Sequence, residues 1–306
     1  MVGKKAEGSL FSVPVLQYSS TPTLQGQPVF RMKKPSVITL LTDFGLHDEY
    51  VGVMKGVILS INPAVQLVDI THSISRHDIT QAALVLNASF RFFPKGSIHV
   101  IVVDPGVGGT RKIICLKKEG HFFIAPDNGV LTMVIRDEKV QKICAVTKQK
   151  YFLKPVSDTF HGRDVFAPAA AHLSKGLEML SLGRELGLTD LTRLEIPLPF
   201  VSDKRELFGT VIAIDRFGDL VTNIGQRTLK EFRGDKGVRR VEVRLGRYKI
   251  KGVSKSYDSV KEGAPIAIFG SRNLLEIALN QGNAREYFKA RIGHGVRLRL
   301  LGKAGC

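Results

Sequence analysis

The sequence predicts an α/β N-terminal domain with a mostly parallel sheet, followed by a smaller C-terminal β-barrel-like domain. Short apolar, β-rich runs alternate with helical periodicity through the first part of the chain, as a parallel sheet covered on both faces requires. Beyond residue 203 the pattern changes to closely spaced short strands, the mark of an antiparallel barrel. Residues 183–203 between them are rich in Gly, Leu and Pro and read as a linker. The division is therefore 1–35 as a loosely ordered extension, 36–182 as the α/β domain, and 204–306 as the barrel-like domain.

Residues 1–35 carry Ser, Thr, Pro, Gly and Gln without sustained periodicity, and hold one acid, Glu7, among five basic residues. Order begins at Val37-Ile38-Thr39-Leu40-Leu41, a buried strand. Val51, Met54, Ile58 and Ile61 then recur at helical spacing until Asn62-Pro63 stops the helix. Strands over 66–70 and 98–103 flank a helix over 78–90. Further strands are expected over 112–117, 122–125 and 140–145, with helices near 129–136 and 164–175. In the second half the expected strands are 206–214, 220–224, 238–244, 247–253 and 264–269, interrupted by a helix over 273–280.

The 306 residues carry a net charge of +17, and residues 201–306 hold 22 Lys and Arg against 11 Asp and Glu. Aromatic residues are not interleaved with the basic clusters as a base-stacking surface requires. The charge therefore reads as a solvated basic surface rather than a nucleic-acid site. No apolar run is long enough to span a bilayer, and the start lacks a secretory pattern. Cys115, Cys144 and Cys306 have neither knuckle nor redox spacing, and no His-Glu-x-x-His occurs. The expectation is a cytoplasmic protein without a metal site.

Asp43, Asp69 and Asp104 fall where apolar strands run out, and open parallel sheets bind ligands beyond those ends. Each alone also reads as a loop-capping residue. Asp43-Phe44-Gly45 lacks the His-Arg-Asp loop that would make it a kinase motif. Gly106-Val107-Gly108-Gly109-Thr110 lacks the Gly-Lys-Ser/Thr of a phosphate loop; its glycines suit a tight backbone passage beside a ligand.

A series of segments in order carries a family resemblance: Thr42-Asp43-Phe44-Gly45, Asp69-Ile70-Thr71-His72-Ser73-Ile74, Asp104-Pro105-Gly106-Val107-Gly108 and Ala125-Pro126-Asp127-Asn128-Gly129. Thr159-Phe160-His161-Gly162-Arg163-Asp164, Ile214-Asp215-Arg216-Phe217-Gly218, Gly270-Ser271-Arg272 and Asn280-Gln281-Gly282-Asn283-Ala284 follow. Over roughly residues 36–301 the chain resembles the S-adenosyl-L-methionine hydroxide adenosyltransferases, relatives of the fluorinase and chlorinase.

The resemblance implies a fluorinase-like fold, a homotrimer with active sites between subunits, and hydrolysis of S-adenosylmethionine, a substrate and not a cofactor, to adenosine and methionine. It implies a catalytic triad matching Asp69, Arg76 and His161. Asp43 matches the acid that chelates the ribose diol, Asp48 and Asp215 acids near the methionine ammonium, and Ser271 and Arg272 the pair holding its carboxylate. Tyr257, with Phe217 nearby, matches an aromatic stacked on adenine. Asn128, Asn223 and Glu276 join the substrate-binding set. Asp219 stands where the family commonly has Asn, and an ionised Asp accepts hydrogen bonds but cannot donate one.

Three alternatives remain beside the hydrolase. A 5′-halogenase resembles its relatives in a Tyr-Pro-x-Thr-Gly halide loop, which here reads Asp104-Pro105-Gly106-Val107-Gly108, with an aspartate where a halide would be repelled. A non-catalytic S-adenosylmethionine sensor is expected to lack a triad member, and all three are present. A nucleic-acid binder is expected to show strongly salt-dependent association.

Overall fold

The computed structural model describes residues 36–234 and 240–301; the expected extension over 1–35 lies outside them. The first half forms a mixed, mostly parallel six-stranded sheet in the order β2-β1-β3-β5-β4-β6. Its strands are β1 (Val37–Thr42), β2 (Gln66–Thr71), β3 (Ile98–Val102), β4 (Ile113–Lys118), β5 (His121–Pro126) and β6 (Lys142–Ala145). β1 pairs in parallel with β2 and β3, and β3 with β5, while β4 runs antiparallel to β5 and β6. The central strands are buried along almost their whole length because helices cover both faces.

Helix α1 (Tyr50–Ile61) buries Val51, Met54 and Ile58 at helical spacing, and Asn62 leaves the helix in an extended conformation before Pro63. Helix α2 (Ile79–Ser89) starts on Asp78, whose carboxylate accepts the Gln81 backbone N–H. α1 packs with α3 (Ala167–Ser174) in one apolar layer, and α2 lies in another. The connection from β1 leads outward to β2, and the next crosses back past β1 to β3. The crevice at the carboxyl ends of β1 and β3 is therefore the switch point where such sheets bind ligands.

The expected helix over 129–136 is a run of turns. Val130, Leu131, Val134 and Ile135 are buried at helical spacing, but Gly129 opens the segment at φ 93° and Glu138 ends it at φ 57°. The periodicity reported burial correctly and not the hydrogen bonding. The helix expected over 164–175 begins with a π-helical turn over Gly162–Phe166 and continues as α3.

In the second half, β7 (Phe200–Val201), β8 (Glu206–Ile214), β9 (Leu220–Gly225), β10 (Val241–Leu245), β11 (Tyr248–Lys251), β12 (Pro265–Phe269), β13 (Leu274–Leu279) and β14 (Gly295–Leu300) make an antiparallel, nearly closed barrel-like sheet. Its main path is β11-β10-β14-β8-β9-β13-β12, and β7 joins β8. The start of the strand expected over 238–244 falls partly outside the described residues. The helix expected over 273–280 is instead strand β13. Asn273 at φ 57° turns the chain back from β12, and both neighbours β9 and β12 bond to the strand. Its mostly apolar run, broken only by Glu276, suits burial in a curled sheet as well as in a helix. Helices α4 (Gln226–Arg233) and α5 (Ala284–Phe288) and strand β14 were not expected from the sequence. Leu84 of α2 packs with Ile212, Ala213 and Val221, joining the two halves. Among the described residues no helix is long and apolar enough to cross a membrane.

Candidate active site

Two clefts hold most of the residues singled out in the sequence, and they share no lining residue. The first, of about 270 Å³, lies at the switch point and is lined by Asp43, Arg76, His77, Asp104, Phe160 and His161 among others. Asp43 follows β1, and its Oδ2 accepts the His77 N–H at 2.9 Å. That bond holds the turn carrying Arg76, in which His77 adopts φ 64°, in the left-handed region. Arg76 has no ion-pair or hydrogen-bond partner among the described residues, so its charge is available to the cleft.

His161 enters from the opposite wall, on the loop that leads into the π-helical turn. Buried Asp164 accepts the Ser157 N–H at 2.8 Å and Arg163 Nε at 2.6 Å, closing that loop. The glycine-rich segment after β3 braces it. Gly108 sits at φ 76°, and a Cβ there would lie 2.3 Å from the Asp158 carbonyl oxygen. The tight passage expected of these glycines is thus against the chain's own backbone.

Arg111 was missed in the sequence. It follows the glycine segment and turns back to grip Asp104 with two nitrogens, Nε lying 3.0 and 2.9 Å from the two carboxylate oxygens. Its Nη2 also lies 2.9 Å from His161 Nδ1. Burial lowers the His161 pKa, and the Arg111 charge lowers it further against the opposing pull of Asp104, Asp164 and Asp158. His77, Thr159 and Phe160 also line the cleft and were not singled out. Only the position of Arg111 just beyond a glycine loop hinted at a ligand-facing basic residue.

Asp69 does not line this cleft. It lies on the outer strand β2, where Lys55 Nζ donates to its Oδ2 at 2.6 Å and His72 Nε2 stands 3.0 Å from Oδ1 without hydrogen-bond alignment. His72 Nδ1 in turn meets Thr42 Oγ1 at 2.9 Å, next to Asp43. Burial raises the Asp69 pKa, but Lys55 and His72 outweigh it and leave the carboxyl below its ordinary range. Asp48 is exposed ahead of α1. Asn128 donates to the Val103 carbonyl and accepts the Val130 N–H, so both ends of its amide are committed to backbone. Asn223 is likewise committed to Thr210 and Pro197.

The second cleft, of about 720 Å³, opens on the barrel-like sheet and is lined by Asp215, Phe217, Asp219, Tyr257, Ser271, Arg272 and Glu276 among others. Asp215 Oδ1 accepts the N–H groups of Phe217 and Asp219, both at 2.9 Å, shaping the turn that displays Phe217, 76% exposed. Burial, then the nearby Asp219 and Asp215 charges, raises the Glu276 pKa. The cleft combines an exposed aromatic, three carboxylates and one guanidinium, which suits a ligand with both a cationic and an anionic end. Among the described residues no three His, Cys, Asp or Glu side chains converge as a metal site.

Residues 38–183 match the model of the SAM hydroxide adenosyltransferase N-terminal domain, and residues 209–297 that of the corresponding C-terminal domain. A curated relative from Thermus thermophilus, named (R)-S-adenosyl-L-methionine hydrolase, is 35% identical over 268 residues, covering 85% of this chain and 98% of its own. A relative of the same name from Methanocaldococcus jannaschii is 38% identical over 195 residues, covering 61% of this chain and 66% of its own. The crystal structure of an uncharacterized conserved protein from Thermotoga maritima superposes with a TM-score of 0.78 at 37% identity, covering 85% of this chain and 99% of that one. With both of its domain models matched in order and a relative spanned almost end to end, the chain belongs to the SAM hydroxide adenosyltransferase family.

Proposed function

We infer that this chain hydrolyses S-adenosyl-L-methionine to adenosine and L-methionine. The observation that carries this is the match to a hydrolase relative along nearly its full length, with Arg76 and His161 both lining the switch-point cleft. The oxygen of water bonds to ribose C5′, the C5′–S bond breaks, and its electron pair passes to sulfur. Methionine leaves as a neutral thioether, so no acid is needed at the leaving group, and one proton is released. The difficult step is forming hydroxide near neutral pH, and fixed donors and a cation beside the oxygen lower its cost.

Arg76 supplies the cation and His161 a ring nitrogen. Asp69 acts from behind, through His72 and Thr42, on the end of β1 that carries Asp43. Asp43 takes the ribose diol, and Asp48 with Asp215 takes the ammonium. Ser271 and Arg272 take the carboxylate, with Tyr257 and Phe217 against adenine. Asp219 and Glu276 complete the barrel-side wall. The family resemblance implies that the substrate is held between the switch-point cleft of one subunit and the barrel-side cleft of a neighbour, in a homotrimer, and the separate linings of the two clefts support that reading. The fold is fluorinase-like, in two functional lobes.

The test incubates purified protein with the (R) and (S) sulfonium epimers separately, with and without chelator and chloride, and identifies products by chromatography. The expected result is adenosine plus methionine, unaffected by chelator, with (R) preferred as in the names of the relatives. A 5′-chloro nucleoside would move the assignment to halogenation. Intact substrate from both epimers would end the hydrolase reading.

A further inference from the structure

The contact between Arg111 and His161 decides which ring nitrogen carries the imidazole proton. A guanidinium has five N–H donors and no acceptor. The Arg111 Nη2 that lies 2.9 Å from His161 Nδ1 can only donate, so Nδ1 must present its lone pair. A neutral imidazole has one N–H, which then sits on Nε2. With Nδ1 anchored on Arg111, Nε2 is the nitrogen left for the cleft that His161 lines.

We propose that Arg111 is a positioning residue that locks His161 in its Nε2–H form, so that the imidazole meets the attacking oxygen as a hydrogen-bond donor and not as its base. The proposal rests on the hydrolase reading for the identity of that oxygen, but the tautomer is a property of the free protein.

The geometry around the pair is built to hold it. Asp104 grips Arg111 through Nε and the same Nη2 that meets His161, and the two side chains are 4% and 12% exposed. The anchor therefore cannot swing away without leaving a buried charge unpaired. Gly108, between Asp104 and Arg111, packs against Asp158 and so ties the His161 loop to the segment bearing its anchor. For His161 to act as a base through Nε2, the neutral ring would need its proton on Nδ1, aimed at a guanidinium N–H. Adding a second proton instead would place two cations in contact. Asp104, Asp158 and Asp164 face the ring with opposing charge, yet burial and Arg111 prevail and favour the neutral form. An Nε2–H donor together with the free Arg76 stabilises hydroxide where it forms, and the proton of the attacking water passes to solvent rather than to the ring.

The test uses the full chain labelled with 15N-histidine, with His161→Gln identifying the His161 signals. At pH 7 the His161 ring is expected as the neutral Nε2–H tautomer, with Nδ1 unprotonated. An Nδ1–H tautomer or an imidazolium would overturn the proposal. Arg111→Met should release the ring into a tautomer mixture and lower kcat roughly 10- to 100-fold with KM changed less than threefold. An unchanged tautomer in that variant would remove Arg111 from the role. Asp104→Asn/Arg111→Met, which leaves no unpaired buried charge, gives the same readout if the single variant does not fold. His161→Gln retains an N–H near the Nε2 position and should exceed His161→Ala in kcat at least tenfold; equal losses would identify a base. Failure of the wild-type protein to hydrolyse either epimer would sink the hydrolase reading while leaving the tautomer measurement to decide this one.

Discussion

The Tyr257 hydroxyl donates to Asp219 Oδ2 at 3.3 Å, across the mouth of the cleft on the barrel-like sheet. Asp219 is buried, and burial together with the Asp215 charge raises its pKa to about 6, against a smaller opposing effect of that hydrogen bond. Burial and the Asp219 charge raise the Tyr257 hydroxyl to about 12, so it remains a donor. With that pKa the Asp219 carboxyl is mostly ionised at pH 7 and mostly protonated only below pH 6, and when protonated it can donate as an Asn amide does.

Asp219→Asn should therefore stabilise the protein at pH 7 by on the order of 1 kcal/mol. The sign follows from proton binding. Between about pH 4 and 6 the native state holds more protons at this group than the unfolded chain, so stability falls as pH rises through that window. Urea titrations at pH 4, 5, 6 and 7 should show a decline in the wild type that is shallower in the variant. Parallel curves would place the Asp219 pKa at its ordinary value.

Arg76 and Arg111 should separate cleanly. Arg76 has no ion-pair partner among the described residues, whereas Arg111 pairs with buried Asp104. Arg76→Ala should lower kcat by about 10²-fold or more while changing stability by less than about 0.5 kcal/mol. Arg111→Ala should lose about 3 kcal/mol or more through the stranded carboxylate. Steady-state kinetics beside thermal melts checks both, and a large stability loss in the Arg76 variant would mean that this residue is structural.

Gly108→Ala tests the brace between the glycine loop and the His161 loop. The added methyl meets the Asp158 carbonyl at 2.3 Å at a backbone φ of 76°. Something must shift, at a cost of about 1–3 kcal/mol. Gly45→Ala, also at positive φ but with open space around its Cβ, should cost about 1 kcal/mol. If the two variants match in stability and activity, the 2.3 Å contact has no consequence.

His99 lies fully buried on β3, with Nδ1 2.8 Å from Thr39 Oγ1 and Nε2 3.2 Å from His121 Nδ1. Burial, with a smaller effect from His121, lowers its pKa to about 3. Between about pH 3 and 6.5 the unfolded chain binds this proton and the native state does not, so stability is lost as pH falls below about 6.5. One such group contributes at most about 1.4 kcal/mol per pH unit. Acid titrations of wild type and His99→Gln should diverge below pH 6, with the variant less acid-sensitive. Identical slopes would assign the sensitivity to other groups.

The residues that sequence reasoning placed well are those whose role shows in local order. Val51, Met54 and Ile58 announce α1 by spacing alone, and Asn62-Pro63 announces its end. Asp43 and Asp104 were flagged because they follow apolar strands, and both line the switch-point cleft. The segment 273–280 was misread because a short, mostly apolar run buries equally well in either geometry, and only its pairing with β9 and β12 shows it to be a strand. Cys115 and Cys144, unremarkable by spacing, face one another across β4 and β6.

By itself the sequence determined the family, the alternation of layers in the first half, the strand-rich second half, and the residue types available for chemistry. All of these are written in composition, periodicity and ordered motifs within short windows of chain. Tertiary structure alone decided that Arg111 reaches His161, 50 residues away, that Asp69 turns from the outer strand β2 to Lys55 and His72, and that the candidate site residues divide between two clefts. Which groups touch depends on register, loop closure and burial, and these are set by contacts between distant segments that no local pattern encodes.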